Sequence, residues 1–139
     1  MNKKFLLAWG LVFVVWFLGN YVIHELLLKP DYSLMGALFR SPEDQQAHFP
    51  VMILAHLMFC AALVWVYARG AESRPWPRQG LRFGIALALL AIVPSYLIYF
   101  AVQPVPQAVV VKQVIFSGIL AVIAGMLAAW MYRGTPAPA

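Results

Sequence analysis

Charged side chains are scarce in this chain, at 11% of its 139 residues. That is less than half the share usual in soluble domains. A soluble protein this small has a large surface for its volume and needs more charge to cover it. Cysteine is scarcer still, with Cys60 alone. A single cysteine excludes an intramolecular disulfide, CxxC redox chemistry and a multi-cysteine metal site. No small-x-small cleavage site follows "MNKKFLLAWGLVFVVWFLGN", so that stretch is expected to be a retained first helix rather than a cleaved signal. A lipidation motif, an internal repeat and a low-complexity tract are all lacking.

What is present in abundance is apolar sequence: 63% of residues are hydrophobic, and the mean hydropathy is +0.79. Four apolar segments stand out, Phe5–Leu28, Val51–Tyr67, Phe83–Val102 and Ala108–Tyr132. Each is near the ~17–25 residues that cross a hydrocarbon core of roughly 30 Å. The sequence therefore predicts an all-α, integral membrane four-helix bundle, one domain with helices near 5–28, 50–68, 82–102 and 107–132 and a disordered tail at 133–139.

A net charge of +5 could point to nucleic acid or to anionic membrane. The distribution decides for the bilayer as partner and against nucleic acid, because the basic residues gather at helix ends. Seven of them (Lys3, Lys4, Arg69, Arg74, Arg78, Arg82 and Arg133) fall on one side of the implied topology, and three (Lys29, Arg40 and Lys112) on the other. This bias predicts that both termini and the 69–82 loop are cytoplasmic. It also counts against dual topology.

Local signals divide the chain further. Lys29-Pro30-Asp31 should end the first helix, and "YSLMGALF" is apolar enough to form a short interfacial helix. Ser41 is a good N-cap, Pro42 suits the first helical position, and Glu43 and Asp44 favour a helix N-terminus. The second helix is thus expected to start there, about two turns early, and to be kinked by Pro50. Pro94 should bend the third helix, with Ser95 or a neighbour accommodating the freed carbonyl. Gly84, Ala88, Ala91 and Ser95 make one stripe of small residues; Ser117, Ala121, Ala124 and Ala128 make another, with Gly118 and Gly125 beside it. Such stripes let helices approach closely. Internal packing is the expected use, with a homodimer contact as the rival.

Polar residues inside the apolar segments are few and unevenly placed. His24, Glu25, His56, Tyr99, Gln103, Lys112 and Gln113 all fall in the half of their helices nearest the outer side. At 1.5 Å per residue His24 lies ~6 Å and His56 ~9 Å deep. Asn20–His24, Tyr21–Glu25, His56–Cys60, Tyr99–Gln103 and Gln113–Ser117 are each four apart, hence neighbours on a helix surface. Polar groups at such depth need partners, and ionisable ones suggest function. Two uses follow: a hydrogen-bonded network that sets helix register, or an outward pocket for a small ligand. Glu25 and Lys112 are expected to pair, each offsetting the other's charge.

Specific chemistries are weakly supported. "HELLL" begins like a zinc-protease helix, but HExxH needs histidine where Leu28 stands. His24 and His56 could be axial ligands of a haem, or join Glu25 at a metal, yet two histidines are thin grounds for either, and His48 reads as a surface residue. No nucleophile–base–orienter set is evident, and Cys60 reads as a small buried apolar residue. No catalytic residue, metal site or cofactor is therefore expected.

"RFG" at the start of the third helix, "YFAVQPVPQAVVVKQVIF" at 99–116, and Ile23-His24 late in the first helix carry a resemblance. Over most of its length the chain resembles a group of small four-helix bacterial membrane proteins with no assigned function. The resemblance implies a multi-pass protein of a bacterial inner membrane and carries over no site residue. The leading expectation is a non-enzymatic accessory, assembly or stress-related membrane protein with a protein partner. The alternative is a membrane protein that binds quinone, lipid or haem in an outer-side pocket. An enzyme ranks third.

Overall fold

The computed structural model describes residues 3–72 and 74–134. The disorder expected for the tail concerns chiefly residues 135–139, which lie outside the described residues. Four helices are long and apolar enough to cross a membrane: α1 (Lys3–Leu27), α3 (Pro42–Arg69), α4 (Trp76–Val102) and α5 (Gln107–Met131). A short α2 (Lys29–Ser33) and a 3-10 turn (Gly36–Leu38) occupy the α1–α3 connection. No strand occurs among the described residues.

The start of α3 follows from its first residues. Ser41 is extended and its Oγ accepts the Asp44 N–H at 3.3 Å, while Pro42 takes the first turn. Pro50 then lies inside the helix. α4 begins at Trp76, about two turns before the apolar run that starts at Phe83, with Pro77 in its first turn. "YSLMGALF" forms no continuous helix; its first two residues finish α2 and Gly36–Leu38 make the 3-10 turn.

Two widened turns interrupt the long helices, and both precede a proline. Residues Ala88–Ile92 of α4 wind as a π-helix ahead of Pro94. Proline lacks the N–H that would bond Leu90 and its ring crowds that carbonyl. Widening the turn moves the carbonyl aside, and Ser95 Oγ donates to the Ala91 carbonyl at 2.6 Å. The last turn of α1, Val22–Leu27, is also π, with Leu28 N–H bonded to Ile23 O at 2.9 Å. His24 and Glu25 lie in this turn.

α5 is the hub, packing on α4, α1 and α3, while α1 packs on α3. Ala8, Val12 and Trp16 of α1, Cys60, Leu63 and Val64 of α3, and Leu120, Ala121, Ala124 and Ala128 of α5 form the core. α4 meets α3 at one end, where the Tyr67 and Phe83 rings lie 5.2 Å apart. Elsewhere its long apolar face is open: Leu89, Leu90, Leu97 and Ile98 are exposed.

The α4–α5 seam is made of glycine. A Cβ on Gly84 would stand 2.5 Å from Val122 Cα, and one on Gly125 would stand 2.7 Å from Gly84 Cα. Backbone meets backbone there, which maximises dispersion contact. Gly80, on the same face one turn earlier, extends the seam to Met126 and Ala129. The expected stripe holds in this half and fails at Ser95, which is exposed; Gly118 faces open space.

Gly84→Ala should therefore lower stability by about 1–3 kcal/mol through overpacking, while Gly118→Ala changes it by less than about 0.5 kcal/mol. Thermal unfolding of both variants in detergent checks the contrast. Equal losses would reject a glycine-built seam.

Candidate functional site

Between α1 and α3, at the end that carries Lys29, Arg40 and Lys112, lies a cavity of about 690 Å³. Two helical stripes make its walls. Phe17, Asn20, Tyr21, His24 and Glu25 come from α1; Gln45, His48, Phe49, Met52 and His56 come from α3. In each stripe the spacing is three or four, or adjacent, as one helix face requires.

Tryptophan closes the deep end. Trp16 is buried, its ring 4.5 Å from Phe59, and its indole N–H donates to His56 Nδ1 at 3.1 Å. About two turns away on the same seam, Trp9 Nε1 donates to the Leu57 carbonyl at 3.0 Å. An indole nitrogen can only donate. His56 Nδ1 must therefore be the unprotonated nitrogen, and neutral His56 carries its proton on Nε2. Phe17 meets the His56 ring edge-on at 5.7 Å and the Phe49 ring at 6.3 Å.

His24 is oriented from the other side. Gln113 Nε2 of α5 donates to the Tyr32 oxygen at 3.0 Å, and the Tyr32 hydroxyl and His24 Nδ1 share a hydrogen bond of 2.6 Å. The two rings also stack, 5.8 Å apart and nearly parallel. Burial pushes the Tyr32 phenol up to about 12, against the pull of the Gln113 hydrogen bond. The phenol thus keeps its proton, and when that proton is directed at Nδ1, His24 carries its own on Nε2 as His56 does.

The charges at the mouth are already neutralised. Lys29 Nζ lies 3.4 Å from Glu25 Oε2, and Arg40 donates to Asp44 at 2.7 Å. His48 donates from Nδ1 to the Asp44 carbonyl at 2.8 Å. His48 is exposed, as its sequence position suggested, yet it lines the cavity.

The seven polar residues singled out in the sequence separate into three groups. His24, Glu25 and His56 share the cavity. Lys112 and Gln113 bind the α2 segment instead. Tyr99 and Gln103, exposed at the far end of α4, do not line the cavity. The expected Glu25–Lys112 pair does not form. Lys112 Nζ reaches Asp31 at 2.8 and 3.0 Å, and Glu25 turns to Lys29 one helical turn away. The reason is local: Lys29-Pro30-Asp31 does not leave the structure as a loop but winds into α2, which carries Asp31 and Tyr32 against α5.

Arg40, His48, Phe17 and Phe49 were not expected at the site. The signal was present in the start of α3 at Pro42, because a helix from there puts Gln45, His48, Phe49, Met52 and His56 on one face. Trp16 and Tyr32, which orient the two histidines, carry no local signal at all. Among the described residues no three His, Cys, Asp or Glu side chains are grouped so as to hold a metal ion. No protein-family profile, curated protein or solved structure matches this chain.

The ion pair gives a direct check. Lys112→Met and Asp31→Asn should be coupled by about 0.5–1 kcal/mol in a double-mutant cycle of thermal stability, in the range of partly exposed pairs. Lys112→Met with Glu25→Gln should simply add. Coupling to Glu25 rather than Asp31 would contradict the geometry.

Proposed function

We propose that this chain is an integral membrane protein that holds a small, uncharged, ring-bearing amphiphile of the quinone class in a cavity on its outer side. The observation that carries the reading is the pair of imidazoles with their Nδ1 atoms occupied. Trp16 donates to one, and we read Tyr32 as donating to the other, an arrangement that presents two Nε2–H donors to a cavity with aromatic walls. A quinone headgroup is a flat ring whose oxygens only accept hydrogen bonds, so it suits two donors between Phe17, Phe49 and Tyr21. A cavity of about 690 Å³ is in the range that takes a small ligand.

The same chemistry disfavours the other ligands. A haem iron needs a nitrogen lone pair, and Nε2 of His56 has none in the tautomer that Trp16 selects. A phosphate headgroup needs free cations, and Lys29 and Arg40 are both paired. No activated nucleophile accompanies the donors, which supports binding rather than catalysis.

Membrane residence is supported by four helices whose apolar windows average 2.0 to 2.3 in hydropathy, and by apolar side chains left uncovered, among them Leu90 at 82% and Val102 at 72% exposure. A soluble monomer rarely leaves so much apolar surface open. The cations sort to two ends: Lys4 lies over Tyr132, near Arg133 and the 69–82 loop, and Lys112 lies with Lys29 and Asp31. The richer end is read as cytoplasmic, with both termini. A bacterial inner membrane follows from the resemblance noted in the sequence. An accessory or assembly role is the second reading, favoured by the open face of α4, whose most apolar window has no buried residue.

Two measurements test the proposal. A reporter active only outside the cytoplasm, fused after Ala71, should be silent; activity there would reverse the topology. A short-chain benzoquinone titrated into the purified protein should quench tryptophan fluorescence saturably, since Trp16 lies directly behind His56. His24→Leu and His56→Leu should each weaken binding by about threefold to tenfold, the worth of one hydrogen bond. Quenching that does not saturate, or an unchanged affinity in the double variant, would sink the quinone reading.

A further inference from the structure

The arginine end of the molecule holds a second arrangement, independent of the cavity. Four arginines crowd the α3–α4 connection, with Glu72 as the acid between them. Gln79 organises that loop: its side-chain nitrogen donates to the carbonyls of Glu72 and Arg74, and its oxygen accepts the Glu72 N–H at 3.0 Å and the Tyr67 hydroxyl at 3.4 Å. The cations then divide by partner. Arg74 is paired with Glu72 at 2.7 Å. Arg69 stacks over Trp65 at 4.0 Å, and Arg133 over Trp130 at 4.5 Å. Arg78 and Arg82 are exposed and have neither an ion pair nor an aromatic partner among the described residues.

These two guanidinium groups share one face of α4. They are four residues apart, and the same face continues into Ile85 and Leu89, exposed at 45% and 63%. Two free cations therefore sit at the head of an uncovered apolar stripe. Beside Arg82 lies a groove of about 250 Å³, walled by Tyr67, Gly70 and Phe83 and bordered by Gln79 and by Glu72, whose carboxylate is taken by Arg74. A diacyl phospholipid has this pattern in complement: an anion at one end, which arginine can hold through two parallel N–H bonds, and a chain that covers apolar surface below it.

We infer that Arg78 and Arg82 form a binding site for an anionic phospholipid, whose phosphate they hold while an acyl chain lies along Ile85 and Leu89. The inference rests on the membrane reading of the four helices and not on the quinone reading of the cavity. Free phosphate would satisfy the arginines but leave the stripe uncovered, so the lipid is the occupant. Each arginine near an anionic surface contributes enough for several-fold in affinity.

Native mass spectrometry of the detergent-solubilised full chain tests it, with phosphatidylglycerol and phosphatidylcholine of matched chains as probes. The protein should retain phosphatidylglycerol over phosphatidylcholine by about tenfold, on the scale of two surface arginines. Arg78→Gln with Arg82→Gln should erase that preference. Arg69→Gln, whose cation is committed to Trp65, should keep it, and millimolar inorganic phosphate should not displace the lipid. Absence of the preference in the unaltered protein needs no variant to fold and overturns the proposal. Loss of the preference in Arg69→Gln to the same degree also overturns it, since diffuse charge would then suffice. Displacement by inorganic phosphate overturns the lipid as occupant. A chain recovered from the aqueous fraction without detergent would overturn the membrane reading and this proposal together; a membrane-bound chain with no lipid preference would overturn this proposal alone.

Discussion

The hydrogen bond from Trp16 to His56 joins the two helices that matter most to the site, and it does so at the floor of the cavity. It is directional, whereas the apolar contacts around it are not. Sliding α3 past α1 by one turn would leave the buried indole N–H without an acceptor, and an unmet buried donor costs roughly 1–3 kcal/mol. The bond therefore sets the register of the pair. With Trp9 held on the Leu57 carbonyl, it keeps the deep halves of α1 and α3 together. The cavity is what remains beyond that closure. The same bond chooses the tautomer of His56, so one contact determines both the shape of the pocket and the polarity of its deepest polar group.

The opposite wall depends on a chain of contacts rather than on one. α5 is tied to α2 by the Lys112–Asp31 ion pair and by Gln113, and Tyr32 passes that restraint to His24. His24 stands in a widened turn, where the helix has already given up its regular pattern. π-turns recur at functional sites because the extra residue re-aims a side chain. In α4 the same device answers a proline and carries no site residue. The irregularity alone is thus a matter of backbone relief; what makes the α1 turn different is the histidine placed in it and the tyrosine that holds it.

Much of the architecture was legible because the rules behind it are local or compositional. Four apolar segments of spanning length predicted four long helices, and Ser41-Pro42 with its acids predicted where α3 begins. The small-residue stripes announced the α4–α5 seam, although Gly80 was overlooked and Gly118 proved to face outward. Ser95 or a neighbouring helix was expected to take up the carbonyl that Pro94 frees, that of Leu90; Ser95 bonds the Ala91 carbonyl instead, and the widened turn relieves the crowding. The pairing of Glu25 with Lys112 was a reasonable reading of charge at similar depth, but depth says nothing about azimuth. The connecting chain, read as loop and interfacial helix, instead wound into α2 and brought Asp31 onto α5.

What this sequence determined by itself is helix content, the presence of four helices of spanning length, the sorting of cations to the two ends and the confinement of ionisable groups to one half of the apolar segments. All of these follow from residue type and spacing along one chain. The tertiary structure decided which of those polar groups meet. It brought His24 and His56 to one cavity, sent Lys112 and Gln113 to α2, left Tyr99 and Gln103 at the far end of α4, and placed Trp16 and Tyr32 behind the two imidazoles. The physical reason is that a hydrogen bond depends on the rotation of two helices about their own axes as well as on depth. That rotation is set by packing against partners far away in sequence, such as Leu120 against Gly19 and Gly84 against Gly125.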